Sequence, residues 1–350
     1  MITDEDHRLR ALADDGRWPE LLAAYRQGRA AAVERAGEAT AAGLAAPLGH
    51  LIAYSAPPEV AARLFDADGG PGSAATVGDH DAGPLWEVLA TRHSWLRLSP
   101  LLGPAPVRHL VAHTRVLLGE DLSHGGLSCA GRPSGGSAPE DRSSGERSPG
   151  DRPPAADGVP LRLEPWEAAG WEEGARVREY LPRGGARSAL LTLPADREGL
   201  VAVELPEPVE RLGGQRAHRA TAATAALAAL APWAEAVCVR GPAPLAAARL
   251  AGCRRVTGGY LPFALVYPAL VQAAAGGRAR GSAHGRLAVW RALAAMAGAA
   301  RPGGPEAAAL VARMRCFTWL EPAEGLRHLH VALEDPASGV AWGLSGSEEL

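Results

Sequence analysis

The sequence predicts an α+β protein: an N-terminal all-α helical domain, a disordered linker, and a C-terminal α+β domain with an antiparallel sheet packed on buried helices. Three observations support this fold class. Apolar residues recur at helical spacing through 1–122, apolar residues nearly vanish through 123–158, and the chain closes with three strand-like runs joined by turn residues. At 350 residues the chain is long enough for two domains. The predicted boundaries are 1–122, 123–158 and 159–350.

The N-terminal domain is predicted to consist of short helices joined by short turns. The first pattern places apolar side chains at helical spacing, with Pro19 in a turn after Gly16. Its apolar positions are Leu9, Leu12, Leu21, Leu22 and Tyr25. Further helices are predicted at 30–45, 48–54, 60–65, 85–91 and 106–118. The run 66–83 is rich in Gly, Asp and Ser and indicates a loop.

The segment 123–158 consists of Ser, Gly, Pro, Arg and acidic residues with very few apolar side chains. Such a segment cannot bury enough surface to offset the entropy lost on ordering. The sequence therefore predicts a disordered linker here.

The C-terminal domain is predicted to combine strands and helices. The runs 188–194 and 199–205 predict a hairpin joined by 195–198, because apolar and other side chains alternate in the second run. Further strands are predicted at 234–240 and 254–258, and three closing strands at 314–320, 326–334 and 339–345. Helices are predicted at 215–233, 244–250, 261–275, 287–298 and 305–313. We expect the apolar faces of the closing strands to pack on the helix near residue 290.

That helix is apolar on nearly every side, which is typical of a helix buried within a domain. Its large apolar side chains are Leu287, Val289, Trp290, Leu293 and Met296. Arg286 and Arg291 are its charged residues, so each is expected to find a partner or to extend to the edge of the core.

A glycine- and arginine-rich loop, residues 276–286, precedes this helix and is called the Gly/Arg loop below. Unpaired backbone N–H groups at a helix N-terminus favour an anion. The sequence therefore predicts a phosphate or carboxylate site formed by Arg278, Arg280, Ser282, His284 and Arg286. The alternative is a flexible connection with solvated arginines. The chain contains no lysine, which excludes a Walker-type phosphate loop.

Two histidine pairs and one acidic segment are weaker candidates for chemistry. His328 and His330 lie two apart on a predicted strand and share a face, which suits the start of a metal site or a solvated surface. His109 and His113 lie four apart on a predicted helix, opposite its apolar stripe, and are expected to face outward.

The segment 164–173 places glutamates beside two tryptophans, Trp166 and Trp171. The pattern suits a site for general acid/base chemistry or sugars, or a partly buried edge with solvated acids. The glutamates are Glu164, Glu167, Glu172 and Glu173.

Composition restricts the compartment and the partners. A net charge of −3 gives no general attraction to nucleic acid or to an anionic membrane. The four cysteines lack C-x-x-C spacing, so neither a disulfide scaffold nor a structural zinc site is expected, and reduced thiols suit the cytoplasm. The N-terminus is acidic and polar, unlike a signal peptide, and the apolar run 261–275 is too short to cross a bilayer. We expect a cytoplasmic protein with no cofactor and no membrane association.

The C-terminal part resembles an uncharacterised actinobacterial family of unknown function. The resemblance covers about the last hundred residues and is carried by AAAGGRARGSAHGRLAVWRALAAMAG, MRCFTWLEP and LHVALEDPASGVAWGLSGSEE. Members of that family have a Gly-Gly and basic segment, a tryptophan-bearing helix, and tryptophan-containing strands before an acidic tail. Arg291 departs from the pattern, which has an aromatic residue after the tryptophan. The resemblance implies the fold of this domain and no activity.

No complete catalytic constellation is present, so the sequence favours a non-catalytic protein-interaction or regulatory module with a protein partner. The alternative is an anion- or phosphate-binding domain, or a hydrolase-like enzyme, using the Gly/Arg loop with His328, His330 or Glu164 as the acid or base. Binding of nucleic acid is disfavoured, because the net charge is acidic and no aromatic platform adjoins the loop.

Overall fold

A computed structural model describes ten stretches of the chain. They are residues 4–66, 83–103, 106–123, 158–171, 176–182, 184–195, 199–208, 216–276, 280–321 and 327–348. The predicted disordered linker lies outside them apart from its end residues. Arg278, Glu172 and Glu173 also lie outside the described residues.

The chain forms two compact units, and the protein is α+β as predicted. The helical unit comprises Met1–Ala156, Pro160–Leu163 and Val177–Arg187. The sheet unit comprises Asp157–Val159, Glu164–Arg176 and Ser188–Leu350. Two short pieces that follow the predicted boundary at 159 therefore belong to the helical unit.

The helical unit contains six α-helices and a short two-stranded ribbon among its described residues. The helices are α1 (Asp4–Asp14), α2 (Trp18–Ser55), α3 (Pro58–Ala61), α4 (Leu85–Arg92), α5 (Trp95–Leu98) and α6 (Val107–Leu117), with a 3₁₀ turn at Ala62–Phe65. The ribbon pairs β1 (Glu179–Tyr180) with β2 (Ala186–Arg187).

The long helical run α2 folds back on itself. Residues 25 and 49 would lie about 36 Å apart in a straight helix, at 1.5 Å per residue. A methyl group on Gly49 would instead lie 2.9 Å from Cε2 of Tyr25, so the run reverses between these residues. The helices predicted at 30–45 and 48–54 both lie within the residues assigned to α2, with Pro47 between them. Proline in a helix interior removes one backbone hydrogen bond and kinks or interrupts the helix.

The outward orientation predicted for His109 and His113 is wrong. Nine of the eleven residues of α6 are buried, and both histidines are among them. Their rings meet edge to face with centroids 4.5 Å apart. Helices α4 and α5 both pack against α6, so the side opposite its apolar stripe is covered as well. Projection of a single helix cannot reveal such a second neighbour.

The sheet unit is built on a six-stranded antiparallel sheet in the order β3-β5-β6-β7-β8-β4. The strands are β3 (Val201–Glu204), β4 (Glu235–Arg240), β5 (Arg255–Leu261), β6 (Arg315–Leu320), β7 (Arg327–Asp335) and β8 (Val340–Glu348). The helices are α7 (Pro165–Ala169), α8 (Arg216–Ala228), α9 (Ala243–Leu250), α10 (Phe263–Ala274), α11 (Ser282–Ala297) and α12 (Pro305–Arg313). The three closing strands are adjacent in the sheet, which confirms the predicted meander.

The predicted hairpin between 188–194 and 199–205 does not form. β3 pairs with β5 instead, with Val203 opposite Val256. In the earlier run only Leu193 makes a bridge, to Leu329 of β7. Alternation of apolar residues identifies a half-buried strand, but it carries no information about the strand beside it.

Helix α9 covers one face of the sheet and closes a core over Phe317 and Trp319. Helix α11 makes its main contacts with α8, α10 and α12, so the helix packed on these two side chains is α9, contrary to the prediction. Burial of α11 itself is confirmed. Its side chains Leu287, Val289, Trp290, Leu293 and Met296 are all buried. Among the described helices, none combines the length and apolar character needed to cross a bilayer.

Candidate functional site

Two glycines allow α7, α10 and α11 to approach one another closely. A Cβ on Gly285 of α11 would overlap the carbonyl oxygen of Val271, and a Cβ on Gly170, which ends α7, would overlap that of Ala264. Both carbonyls belong to α10. Because only glycine permits these approaches, the three helices meet backbone against backbone. Their meeting point contains a cluster of buried polar side chains.

The Glu167 carboxylate is the centre of that cluster. Its Oε1 accepts hydrogen bonds from the Tyr267 hydroxyl at 2.6 Å, Arg286 Nε at 2.8 Å and Trp290 Nε1 at 2.9 Å. Its Oε2 accepts from Arg286 Nη2 at 2.8 Å and from the backbone N–H of Glu164 at 3.0 Å. The side chains of Glu167 and Arg286 are both 0% exposed. Five donors thus satisfy one buried carboxylate, and we call this group the Glu167 cluster.

The charges in this cluster are compensated inside the protein. Burial alone would lower the pKa of Arg286, but the charge of Glu167 and the interactions with Glu167 and Tyr267 together outweigh burial and raise that pKa above its ordinary value. Burial, together with the negative charge of Glu167, raises the pKa of Tyr267 well above its usual range. The arginine therefore stays charged and the tyrosine stays a hydrogen-bond donor at neutral pH.

The residues of the predicted anion site do not all lie in one place in the structure. Arg286 lies inside, and the anion that it binds is the Glu167 carboxylate. Arg280 is exposed just before α11, and its carbonyl oxygen contacts Nδ1 of His284 at 2.6 Å. Ser282 is buried in the first turn of α11. Binding of an external anion stays a prediction for Arg280, Ser282 and His284. The guanidinium group of Arg286 is already bound to Glu167.

A second buried cluster, in the helical unit, has the same chemistry and was missed by sequence reasoning. Glu87 of α4 is fully buried and accepts a 2.5 Å hydrogen bond from the Tyr180 hydroxyl. Arg178 is also buried and interacts with Tyr180. In both clusters the glutamate follows a tryptophan in the first turn of a helix that starts after or at a proline. The recurrent Trp-Glu pair is the local signal that could have revealed both.

The histidine pair of β7 lies on one face, as predicted. His330 is buried, and its Nδ1 lies 2.8 Å from the Ser345 hydroxyl oxygen. His328 is half-buried and donates through Nε2 to the Pro194 carbonyl oxygen at 3.1 Å, while the two rings stack at 5.8 Å. Among the described residues no group of three His, Cys, Asp or Glu side chains suits a metal ion.

His330 gives a testable dependence of stability on pH. Burial, and then the charge of His328, lowers its pKa from 6.5 to about 4. Between these values the unfolded chain binds a proton that the folded chain does not, so stability falls as the pH drops from 6.5 to 4. The shift corresponds to about 3 kcal/mol, since one pKa unit is about 1.4 kcal/mol.

Urea unfolding of wild-type protein and His330→Asn across this pH range measures the effect. Asparagine keeps a polar atom near Ser345 but does not titrate. We expect the difference in stability between the two proteins to change by about 3 kcal/mol across the window. Parallel pH profiles would contradict the assignment to His330.

The sheet has an open edge at β3. Leu205 donates its backbone N–H to the Arg254 carbonyl oxygen at 2.7 Å. Because backbone groups alternate in direction along a strand, the backbone N–H and C=O groups of Val201 and Val203 also point toward β5. Ala202 directs its own N–H and C=O away from the sheet. Among the described strands, β3 has a neighbour on one side only. β4 is the edge strand at the opposite side of the sheet, and an edge strand with outward-directed backbone groups, such as β3, can accept another strand.

No protein-family model, curated protein or solved structure matches this chain. The resemblance to an actinobacterial family therefore stays an expectation. The functional assignment depends on the geometry of the clusters and of the open edge.

Proposed function

We propose that this protein is a non-catalytic interaction module that binds a protein partner along the β3 edge. The observation that carries the proposal is the exposure of apolar side chains beside backbone groups of β3 that pair with no other described strand. Val201 is 62% exposed, and Tyr260, on the same face of neighbouring β5, is 45% exposed. Edge strands in stable proteins are usually covered or protected by charge, and β3 carries one exposed charge, Glu204, beside an exposed alanine and valine.

The rest of the sheet unit supports a role without catalysis. The groups best suited to acid/base chemistry, namely Glu167, Arg286 and His330, are engaged in buried hydrogen bonds that stabilise the fold. Cys316 is also buried, and burial raises the pKa of its thiol far above the range of a reactive cysteine. These side chains serve packing, whereas the β3 edge faces solvent.

The proposed partner presents an extended segment with alternating apolar residues. Backbone hydrogen bonds to Ala202 and Glu204 would supply affinity, and contacts with Val201 and Tyr260 would select the apolar side chains. Glu204 already lies 3.6 Å from Arg254, an exposed ion pair that contributes little and gives way readily to a new neighbour.

Substitution of Ala202 tests the edge directly. Proline there removes an outward N–H without removing a bond to β5, because the ladder to β5 uses the flanking residues. We expect peptides selected from a displayed library of random linear sequences to bind Ala202→Pro at least about tenfold more weakly than wild type, a loss of about 1.4 kcal/mol.

The matched control is Ala202→Val, which keeps the N–H and favours a strand. We expect it to retain peptide binding, with melting temperatures of both variants close to that of wild type. The proposal fails if no peptide is enriched, or if the selected peptides bind the proline variant as tightly as the valine variant.

A further inference from the structure

A cavity of about 830 Å³ lies within the helical unit. Its walls come from α1, from both arms of the reversed helix α2, and from the turn between β1 and β2. Tyr25 and Ala32 lie on the outgoing arm, and Leu48 and His50 lie on the returning arm. The reversal of α2 therefore builds the cavity. Its volume lies in the range of sites that enclose a small organic molecule.

The lining of the cavity is mixed, with apolar side chains and two buried polar rings. Apolar walls are supplied by Leu9, Leu48 and Leu51 and by several alanines. Tyr25 and His50 are buried, and Nε2 of His50 donates to the Leu181 carbonyl oxygen at 2.8 Å. Burial raises the pKa of Tyr25, although the Arg29 charge opposes this, so its hydroxyl stays protonated at neutral pH.

The exposed charged side chains in the described lining of the cavity are two arginines and one aspartate. They are Arg10, Arg35 and Asp14, so two guanidinium groups face one carboxylate. Arg35 donates its Nε–H to the Ala31 carbonyl oxygen in its own helix, which anchors the side chain. A guanidinium group matches the planar geometry of a carboxylate, and the hydrogen bond between them is charge-assisted.

We propose that this cavity binds an organic monocarboxylate with an apolar body. The apolar body lies between the two arms of α2, and the carboxylate lies at Arg10 and Arg35. The inference is independent of the partner proposed for the β3 edge, since it concerns the other unit and a different class of ligand.

Calorimetric titration of the full chain with decanoate, 2-naphthoate and decan-1-ol tests the ligand class. We expect saturable binding of one of the two carboxylates, the flexible or the aromatic one, with decan-1-ol at least about tenfold weaker. No saturable binding of either carboxylate would overturn the proposal. Equal affinity for decan-1-ol would overturn the role of the carboxylate.

Two variants locate the site. Gly28→Trp places an indole at the cavity wall, where a Cβ would meet nothing within 4 Å, so the helix is expected to tolerate it. Arg10→Gln with Arg35→Gln removes the two guanidinium charges. We expect each change to weaken binding of the carboxylate at least about tenfold. The double arginine variant is expected to bind decan-1-ol with an affinity within about threefold of that of wild type.

The matched control replaces Arg240 and Arg249, two exposed arginines of the sheet unit, with glutamine. We expect this double variant to bind as wild type does, and circular dichroism to show that all variants stay folded. Binding that survives Gly28→Trp, or that responds equally to the control pair, would overturn the assignment to this cavity.

Discussion

Replacement of Glu167 by leucine is expected to lower the free energy of unfolding by about 3–5 kcal/mol. The change leaves the Arg286 guanidinium fully buried without its counter-charge, and it also removes the acceptor for Trp290 Nε1 and for the Tyr267 hydroxyl. A charge in an apolar interior without a partner is among the largest single destabilising effects in proteins. Urea unfolding followed by tryptophan fluorescence measures the loss.

The control is the same substitution in an exposed pair of the same residue types. Glu20 forms an ion pair with Arg17, and both side chains are about half exposed. We expect Glu20→Leu to cost less than about 1 kcal/mol, because water screens and solvates both charges. Equal losses for the buried and the exposed pair would show that the Glu167 cluster does not stabilise the fold as described.

Substitution of Gly285 by alanine is expected to lower the free energy of unfolding by about 2–3 kcal/mol. The new methyl group would overlap the Val271 carbonyl oxygen, which belongs to the backbone of α10 and cannot rotate away. The helices must separate, and Arg286, the next residue, then loses its position relative to Glu167. Thermal and urea unfolding both report this loss.

Gly28 in α2 is the matched control, because it is also a glycine inside a helix. A Cβ there meets nothing within 4 Å, and alanine favours a helix over glycine. We expect Gly28→Ala to stabilise the protein by about 0.5–1 kcal/mol. The same substitution is thus predicted to lower the free energy of unfolding at Gly285 and to raise it at Gly28. Stabilisation by both would contradict the close approach of α10 and α11.

The sequence predicts that the apolar side chains of α11 are buried and that Arg286 needs a partner, but it does not identify that partner. An almost wholly apolar helix indicated burial, and Trp290 is 1% exposed. Its lone arginine at the start had to find a partner, and Arg286 has one. That partner, Glu167, lies 119 residues earlier in the chain. The local pattern around Glu167 suits a partly solvated edge or a site for acid/base chemistry. Local patterns of apolar residues do not reveal contacts between residues that are so far apart in the sequence.

The same limit explains the other corrections. Alternation in 199–205 identified a strand, but its neighbour is β5 and not the preceding run. The spacing of His109 and His113 placed them opposite an apolar stripe, yet further helices cover that side of α6. The reversal of α2 and the cavity that it forms depend on contacts between residues such as Tyr25 and Gly49. No motif in the sequence marks those contacts.

The central claim is that Arg286 serves the fold by binding Glu167, and a double-mutant cycle tests it most directly. The cycle compares Glu167→Leu, Arg286→Met and the double variant by urea unfolding. We predict that the double variant is more stable than Glu167→Leu alone, with a coupling energy of about 2–3 kcal/mol, since removal of both charges avoids an unpaired buried charge. Losses that add to within about 0.5 kcal/mol would contradict the claim.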